Sequence, residues 1–372
     1  MYKKELESIK KSNRFRKRRV FKSSLLDLAS NDYLGLAQNK KLFKSAYKKV
    51  LSNHYFSPKA SALVNGYSKI HKEFEDYLCK VNNFEAGIVV GSGFLANISL
   101  IEALVRKNDI LLIDEDYHAS GVLASKLLNS SQVIFFKHND EKDLEDKIKN
   151  NQEAKRLIIA IEGVYSMSGS LAKKEIFDIA KKYEALLIVD EAHSSGVIGD
   201  NLLGIFDYYN IKPSSNHIKM GTLGKAYGSY GAYILASKNI IKFLQNRAKP
   251  IIYSTALSLF DTALGLKSLK YIVKHKQKLR QEINEKLNII QNYLGIESKS
   301  LIIPILVNDN KKVLHIQKVL KKNGFLVGAI RQPTVKQAII RLIAKIDISN
   351  EDLIKVSILI KELNADKWLN KR

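Results

Sequence analysis

The fold of this chain is decided by the stretch LLIVDEAH at residues 186–193, where a continuous apolar run ends in polar side chains. Such a run is typical of a strand that is buried on both faces of a parallel sheet. Asp190 then lies at the carboxyl end of that strand, the edge at which open α/β sheets bind ligands. If His193 and Lys225 were absent, a helix N-cap would be the preferred interpretation of Asp190.

The loop TLGKAYG at residues 222–228 follows another apolar stretch and places Lys225 among small residues. Pyridoxal phosphate (PLP) needs a lysine that holds its aldehyde as a Schiff base, an acid that keeps its pyridine nitrogen protonated, and donors for its phosphate. A lysine beside a glycine is usually a solvated loop residue, so Lys225 alone indicates little. Its combination with Asp190 and His193 predicts a PLP site.

A possible phosphate site lies upstream in IVVGSGFLAN, residues 88–97, where an apolar strand enters a glycine turn and a helix follows. Exposed amides and the helix dipole favour an anion at such a helix start. Gly91 and Gly93 lack the third glycine of a dinucleotide fingerprint. An ordinary strand–turn–helix connection is therefore the alternative interpretation.

Two further strand ends carry polar side chains. His118 follows the apolar run at residues 110–113, and Ser166 follows the run at residues 157–160. Because parallel strands end at a common edge, we expect these residues to lie near Asp190 and His193. Repeated strand and helix signals from about residue 88 to residue 253 predict an α/β fold with a mostly parallel, doubly wound sheet.

These motifs resemble those of the α-oxoamine synthases, which are fold-type-I PLP-dependent transferases. The resemblance covers nearly the whole chain. It is carried by His118 and by the stretches at residues 29–36, 92–94, 164–167, 190–193, 222–225 and 253–256.

The resemblance implies a role for each matching position. Lys225 would form the Schiff base, Asp190 would pair with the pyridine nitrogen, and His118 would stack on the ring, which makes these three the catalytic residues. Further cofactor contacts are implied for Gly93, Phe94, Ser166, His193, Thr222, Ser254 and Thr255. Substrate contacts are implied for Arg16, His118, Thr334 and Arg341.

The resemblance also implies the reaction and the assembly. It favours a PLP-dependent acyltransferase that condenses L-alanine with a pimeloyl thioester, with loss of carbon dioxide, in biotin biosynthesis. The acyl group would arrive on an acyl carrier protein or on coenzyme A. A glycine-using member of the family, such as 2-amino-3-ketobutyrate CoA ligase, is the alternative. Ser254 and Thr255 would reach the neighbouring subunit's cofactor, so a homodimer with shared active sites is expected.

Length and composition fit this scheme, since 372 residues with 45% apolar content can bury a sizeable core. We predict an N-terminal arm at residues 1–45, a large PLP-binding domain at 46–260, and a long connecting helix with a small α+β domain at 261–372. The lone Cys79 excludes an intrachain disulfide and favours a cytoplasmic protein. The histidine and cysteine spacings predict no metal site, and no long apolar segment predicts membrane insertion.

The formal net charge of +24 and the basic cluster at residues 14–19 raise a different hypothesis. Clustered cations bind nucleic acids by releasing phosphate counterions. However, the lysines are distributed along the chain, which is typical of a solvated surface. We therefore expect no nucleic-acid function, and we interpret the charge as a means of attracting an acidic carrier protein or the phosphates of coenzyme A.

Overall fold

The structure is a computed structural model that describes residues 1–12 and 14–364. Its strands are β1 Leu26–Leu28, β2 Ala86–Val90, β3 Asp109–Asp114, β4 Val133–Phe136, β5 Arg156–Glu162, β6 Leu186–Asp190, β7 His217–Thr222, β8 Ala232–Ala236, β9 Ile302–Leu306, β10 Phe325–Ile330 and β11 Ile339–Ile343. Its α-helices are α1 Lys3–Lys11, α2 Lys40–Leu51, α3 Lys69–Asn82, α4 Gly93–Leu104, α5 Ala119–Ser125, α6 Glu141–Lys149, α7 Lys174–Lys182, α8 Ile205–Tyr208, α9 Lys238–Arg247, α10 Lys249–Ile252, α11 Leu259–Leu294, α12 Asn310–Lys322 and α13 Asn350–Leu363.

The larger sheet has seven strands in the order β2-β8-β7-β6-β5-β3-β4. All of its neighbouring pairs are parallel except those of β8, which runs antiparallel to both β2 and β7. Alternate residues of β5 and β6 enter two different apolar cores. Ile158 and Ile188 face one core, whereas Ile159 and Leu187 face the other. Both faces of the sheet are therefore covered, which explains why these strands read as unbroken apolar runs.

The smaller sheet has four strands in the order β1-β10-β11-β9. The N-terminal strand β1 pairs in parallel with β10, so part of the segment expected to be an arm belongs to this sheet. The long helix α11 leads from the larger sheet to the smaller one. It begins after the N-cap Ser258 and ends at Gly295, and its helical dihedral angles are interrupted at His275. The division of the chain at residues 45 and 260 remains a prediction.

No helix among the described residues combines the length and apolarity needed to cross a bilayer.

Candidate active site

The loops that follow four parallel strands bring the predicted polar residues to one edge of the larger sheet. His118 follows β3, Ser166 follows β5, His193 follows β6 and Lys225 follows β7. Asp190 is the last residue of β6. Since the four strands are adjacent and parallel, their carboxyl ends converge. Hydrogen bonds described below join Lys225 to His193 and, through buried intermediates, Asp190 to His118.

Lys225 is half-buried, and its Nζ lies 2.9 Å from Nε2 of His193. The other ring nitrogen of His193, Nδ1, lies 2.5 Å from the hydroxyl of Tyr33. Burial lowers the pKa of Lys225 to about 8, against the opposing negative charge of Asp190. Burial also lowers the pKa of His193, and the positive charge of Lys225 adds to that effect. Lys225 therefore has much more neutral amine near physiological pH than an ordinary lysine has.

Asp190 is buried, and both of its carboxylate oxygens accept a hydrogen bond. Oδ1 accepts from the backbone N–H of Ala192 at 2.9 Å, and Oδ2 accepts from Nδ2 of Asn97 at 3.0 Å. An ionised carboxylate has about four acceptor positions, so these two bonds orient the group and leave capacity for a further donor. A protonated pyridine nitrogen is a donor of that kind.

Glu162 stands beside Asp190 in the register of β5 and β6 and is 1% exposed. Its Oε2 accepts a hydrogen bond from the backbone N–H of Ser166 at 3.0 Å, whereas Oε1 has no partner among the described residues. Burial and the negative charge of Asp190 raise the pKa of Glu162 well above its ordinary value. Glu162 is therefore a neutral acid at the back of the site, and Asp190 is the carboxylate.

The turn before α4 and the end of β7 form a cradle for an anion. A Cβ atom on Gly93 would lie 2.6 Å from Cγ2 of Thr222, so only glycine permits this close approach. The Oγ1 of Thr222 is buried without a partner among the described residues. Helix geometry also leaves the amides of Gly93 and Phe94 without intrahelical acceptors. Two orphan amides and an orphan hydroxyl at a helix N-terminus suit a phosphate.

Of the three residues implied only as substrate contacts, Arg341 reaches the cluster. It is buried in β11, and its Nε donates to the carbonyl oxygen of Ser166 at 2.8 Å. Its Nη2 donates to Oδ1 of Asn31 at 3.0 Å. Arg16 lies exposed in a segment without helix or strand, and Thr334 lies exposed in the turn between β10 and β11. Within the described residues, no hydrogen bond joins either of them to the cluster around Lys225.

Ser254 and Thr255 lie after α10, at the surface of the protomer. Thr255 is exposed and pairs with Ser61 in an isolated antiparallel bridge. The neighbouring Tyr253 is 80% exposed. These residues are thus displayed outward, and their predicted role in a second subunit's site remains a prediction.

Several residues of the site were not predicted from the sequence. Tyr33 contacts His193 across 160 positions of the chain, a separation that no local pattern reports. Glu162 could have been found from strand register, because it ends β5 where Asp190 ends β6. Asn97 could have been found from helical spacing, because it follows Gly93 by four positions on α4.

The arrangement fits PLP at each of its functional groups. Lys225 supplies an amine with a lowered pKa, Asp190 supplies an oriented carboxylate, and the cradle at Gly93 and Thr222 supplies phosphate donors. His118 lies at the same edge as an exposed residue, with its Nδ1 against the buried Ser120. Among residues 1–12 and 14–364, no group of three potential His, Cys, Asp or Glu ligands is placed to hold a metal ion. The fold and site therefore define a PLP-dependent enzyme.

Comparisons with known proteins agree with the assignment to the PLP-dependent enzymes. The family model described as aminotransferase class I and II matches residues 23–354. The 8-amino-7-oxononanoate synthase of Helicobacter pylori strain J99 is 47% identical over 353 residues, which cover 95% of this chain and 94% of the relative. The enzyme of the same name from Thermosipho melanesiensis is 35% identical, with coverage of 88% and 85%.

Solved structures show the same fold. The 8-amino-7-oxononanoate synthase of Francisella tularensis superposes with a TM-score of 0.76 at 27% identity, covering 93% of this chain and all of the other. A serine palmitoyltransferase variant from S. paucimobilis, with a bound PLP–myriocin aldimine, gives a TM-score of 0.87 at 21% identity, with coverage of 98% and 96%. The chain belongs to the class I and II aminotransferase family and, within it, to the 8-amino-7-oxononanoate synthases. The predictions of a fold-type-I fold and of PLP as cofactor are confirmed.

Proposed function

We propose that this protein condenses L-alanine with a pimeloyl thioester, with loss of carbon dioxide, to give 8-amino-7-oxononanoate for biotin biosynthesis. The family assignment supplies the overall activity. The observation that carries the assignment of roles is the half-buried Lys225, with its Nζ 2.9 Å from His193, at the edge where Asp190 ends its strand. Bound PLP would supply an electron sink that stabilises negative charge at the amino acid's Cα.

The chain's own residues would hold the cofactor and move the proton. Lys225 would attach the cofactor, and Asp190 would keep the pyridine nitrogen protonated. The pairing of an acid with that nitrogen is worth about 1–3 pKa units. Gly93, Phe94 and Thr222 would bind the phosphate, and Ser166 and His193 would face the ring hydroxyl. The free amine of Lys225 would act as the base, and its pKa of about 8 suits proton removal from Cα near neutral pH.

Arg341 would bind the amino acid's carboxylate. Its guanidinium is buried and already uses Nε and Nη2 in hydrogen bonds to Ser166 and Asn31. These bonds fix the plane of the fork and leave other N–H groups for a carboxylate, the anion that an arginine recognises best. His118 would cover the ring, while Arg16 and Thr334 would contact the acyl substrate.

A homodimer with shared sites is part of the proposal. The segment at residues 60–67 packs beside residues 252–256 through the hydrogen bond from Ala256 N to Ala60 O. This surface exposes large apolar side chains: Val64 at 78%, Tyr67 at 43% and Tyr253 at 80%. Large apolar side chains that are exposed on adjoining segments are typical of an interface. This surface flanks Ser254 and Thr255, which would complete the partner's phosphate site.

Mixing two defective variants tests the shared site. One chain carries Lys225→Ala, and the other carries Ser254→Ala with Thr255→Ala. A mixed dimer has one site with an intact Lys225 from one subunit and an intact Ser254 and Thr255 from the other. Activity should therefore rise after the variants are unfolded and refolded together. Activity equal to the sum of the separately refolded variants would place each site within one subunit.

The acyl donor is proposed to arrive on an acidic carrier protein. The cluster at residues 14–19 is exposed, and the formal net charge of +24 would accelerate encounter with an anionic partner. The kcat/KM for carrier-protein thioester should fall steeply with salt, because charges are screened over about 10 Å at 0.1 M. Charge reversal of Arg18 and Arg19 should lower this kcat/KM more than it lowers kcat. Equal salt dependence for a small neutral pimeloyl thioester would remove the carrier protein from this proposal.

The amino-acid substrate is tested by a competition in the holoenzyme. Alanine, glycine and serine are compared for the change they cause in the visible spectrum of bound PLP and for condensation with a pimeloyl thioester. Alanine should give the highest kcat/KM. If glycine gives the highest kcat/KM instead, the protein is a glycine-using member of the family and the proposed reaction is wrong. The expected location is the cytoplasm, in keeping with the single Cys79.

A further inference from the structure

A buried chain of hydrogen bonds joins Asp190 to His118. Nδ2 of Asn97 donates to Oδ2 of Asp190 at 3.0 Å and to Oγ of Ser120 at 2.9 Å. Oγ of Ser120 in turn lies 2.7 Å from Nδ1 of His118. Asn97 is 1% exposed and Ser120 is 0% exposed, so bulk water does not compete for these bonds.

The orientation of the Asn97 amide follows from its neighbours. A carboxylate only accepts hydrogen bonds, so the amide nitrogen of Asn97 must face Asp190. On the other side, the hydroxyl of Tyr117 donates to Oδ1 of Asn97 at 2.7 Å. Burial and the charge of Asp190 raise the pKa of Tyr117 well above its ordinary value, so the phenol keeps this proton. Both protons of the Asn97 nitrogen are then used, one toward Asp190 and one toward Ser120.

The tautomer of His118 follows from the same reasoning. The backbone N–H of Ser120 points at Nδ1 of His118 at 3.2 Å and can only donate, so Nδ1 must be an acceptor. Ser120 Oγ accepts from Asn97 and uses its single proton to donate to Nδ1. Burial lowers the pKa of His118, although the charge of Asp190 opposes this. The ring is therefore neutral, with its proton on Nε2.

We propose that Asn97 and Ser120 are positioning residues that connect Asp190 to His118 and hold His118 as the Nε2–H tautomer. In this state the ring offers a hydrogen-bond donor and cannot act as a base at Nε2. The group it would meet is a carboxylate or carbonyl oxygen of the substrate, an assignment that rests on the proposed function. Lys225 is then left as the base of the site, while Asn97 also supplies Asp190 with a donor that stabilises its charge.

The wild-type chain without cofactor gives the first test. Histidine labelled with ¹⁵N distinguishes the protonated from the unprotonated ring nitrogen by NMR, and His118→Asn identifies the His118 signals by their loss. We expect an unprotonated Nδ1 and a protonated Nε2 between about pH 7 and 9, above the ordinary histidine pKa. A proton on Nδ1, or a rapid exchange between both forms, would overturn the proposal. Because no substrate is present, this result is independent of which amino acid or thioester the enzyme uses.

Ser120→Ala is the matched variant, with Ser125→Ala as its control. Ser125 lies on the same helix, α5, and its hydroxyl donates to the carbonyl of Val122 at 2.9 Å. Ser120→Ala should shift the His118 nitrogen signals toward a mixture of tautomers and lower kcat about fivefold, the loss of about one neutral hydrogen bond. Ser125→Ala should leave both unchanged. Wild-type-like nitrogen signals in folded Ser120→Ala would remove Ser120 from the proposal.

Asn97→Leu tests the other end of the chain of hydrogen bonds. Asp190 loses a donor to its charged form, so the affinity for PLP should fall about tenfold. Equilibrium dialysis of PLP measures this without any turnover. Ser99→Ala serves as the control, because Ser99 lies on the same helix and its hydroxyl donates to the carbonyl oxygen of Leu95. Unchanged PLP affinity in folded Asn97→Leu would contradict the link to Asp190.

Discussion

Asp190 and Glu191 are adjacent acids at the end of β6, and both are buried, but their surroundings differ. Asp190 belongs to the cluster with Lys225, whereas Glu191 forms an ion pair with Lys219 at 3.5 Å. Glu191 also accepts hydrogen bonds from the backbone N–H of Ile205, at 2.8 Å, and from the hydroxyl of Ser194. Lys219 donates in addition to the carbonyl of Leu203. Each member of this second pair therefore has at least two partners within the protein.

The cluster around Lys225 is not saturated in the same way. Oε1 of Glu162 and Oγ1 of Thr222 are buried without partners among the described residues. A buried polar group without a partner costs about 1–3 kcal/mol. Lys225 is half-buried, whereas Lys219 is 1% exposed, and burial lowers the pKa of both lysines. The comparison indicates that Glu191 and Lys219 stabilise the fold, because protein groups satisfy them. Asp190 and Lys225 lie where polar atoms still lack partners, so they are available to bind a ligand.

Lys225→Ala should have the largest effect on turnover. Loss of the proton-transferring amine should lower kcat at least about 10²–10⁴-fold. The visible band of lysine-bound PLP should disappear, although PLP can still bind through the phosphate cradle. Thermal unfolding should be little changed, because the variant removes a desolvated amine. Near-normal turnover would exclude Lys225 from the chemistry.

Lys219→Met should lower the stability of the fold and leave turnover nearly unchanged. Glu191 would be left as an uncompensated buried charge, which costs about 3–5 kcal/mol of the free energy of unfolding. Urea denaturation measures this loss, and the folded holoenzyme should keep kcat within about threefold of wild type. The double variant Lys219→Met with Glu191→Gln should recover part of the stability, because the unpaired charge is gone. A large loss of kcat at wild-type stability would contradict the assignment of a structural role to this pair.

Local sequence patterns predicted the elements that position the site. The apolar run that was expected to end at Asp190 forms the strand Leu186–Asp190, because it has a strong apolar pattern with a clear end signal. The strand ends could be aligned without coordinates, because parallel strands finish at one edge. The pairing of β1 with β10 was not predicted, since it joins residues about 300 positions apart by backbone bonds that leave no side-chain signature.

The finer parts of the site depend on such distant contacts. The hydrogen bond of Arg341 to Asn31 spans 310 positions, and its partner atoms carry no sequence signal of each other. Resemblance implied a substrate role for Arg341, but not the bonds that fix its plane. The orphan atoms of Glu162 and Thr222 also required coordinates, because a partner's absence is a property of packing rather than of residue type.

The pH dependence of cofactor capture tests the surroundings of Lys225 directly. Only the free amine attacks the aldehyde of PLP, so the capture rate of the cofactor-free enzyme should rise with pH. Its midpoint should lie near 8 rather than at the ordinary 10.5, because burial lowers the pKa of Lys225. Stopped-flow absorbance between about pH 6 and 10 measures the profile. Asp190→Asn removes a charge that raises this pKa, so its midpoint should move lower, and a midpoint above 10 in wild type would contradict the desolvated site.

Glu162→Gln should have the smallest effect, although Glu162 lies beside Asp190. Burial and the charge of Asp190 raise the pKa of Glu162 well above its ordinary value, so the wild-type side chain is neutral at pH 7. Glutamine is also neutral, and its carbonyl oxygen can accept the hydrogen bond from the N–H of Ser166. We therefore expect kcat/KM at pH 7 to change by less than about threefold, which corresponds to under about 0.7 kcal/mol. Glu162→Ala, which removes the acceptor as well, is the control and should cost more. A tenfold loss in Glu162→Gln at pH 7 would mean that the wild-type site contains two carboxylates, and that the charge of Asp190 is not the only one facing the cofactor.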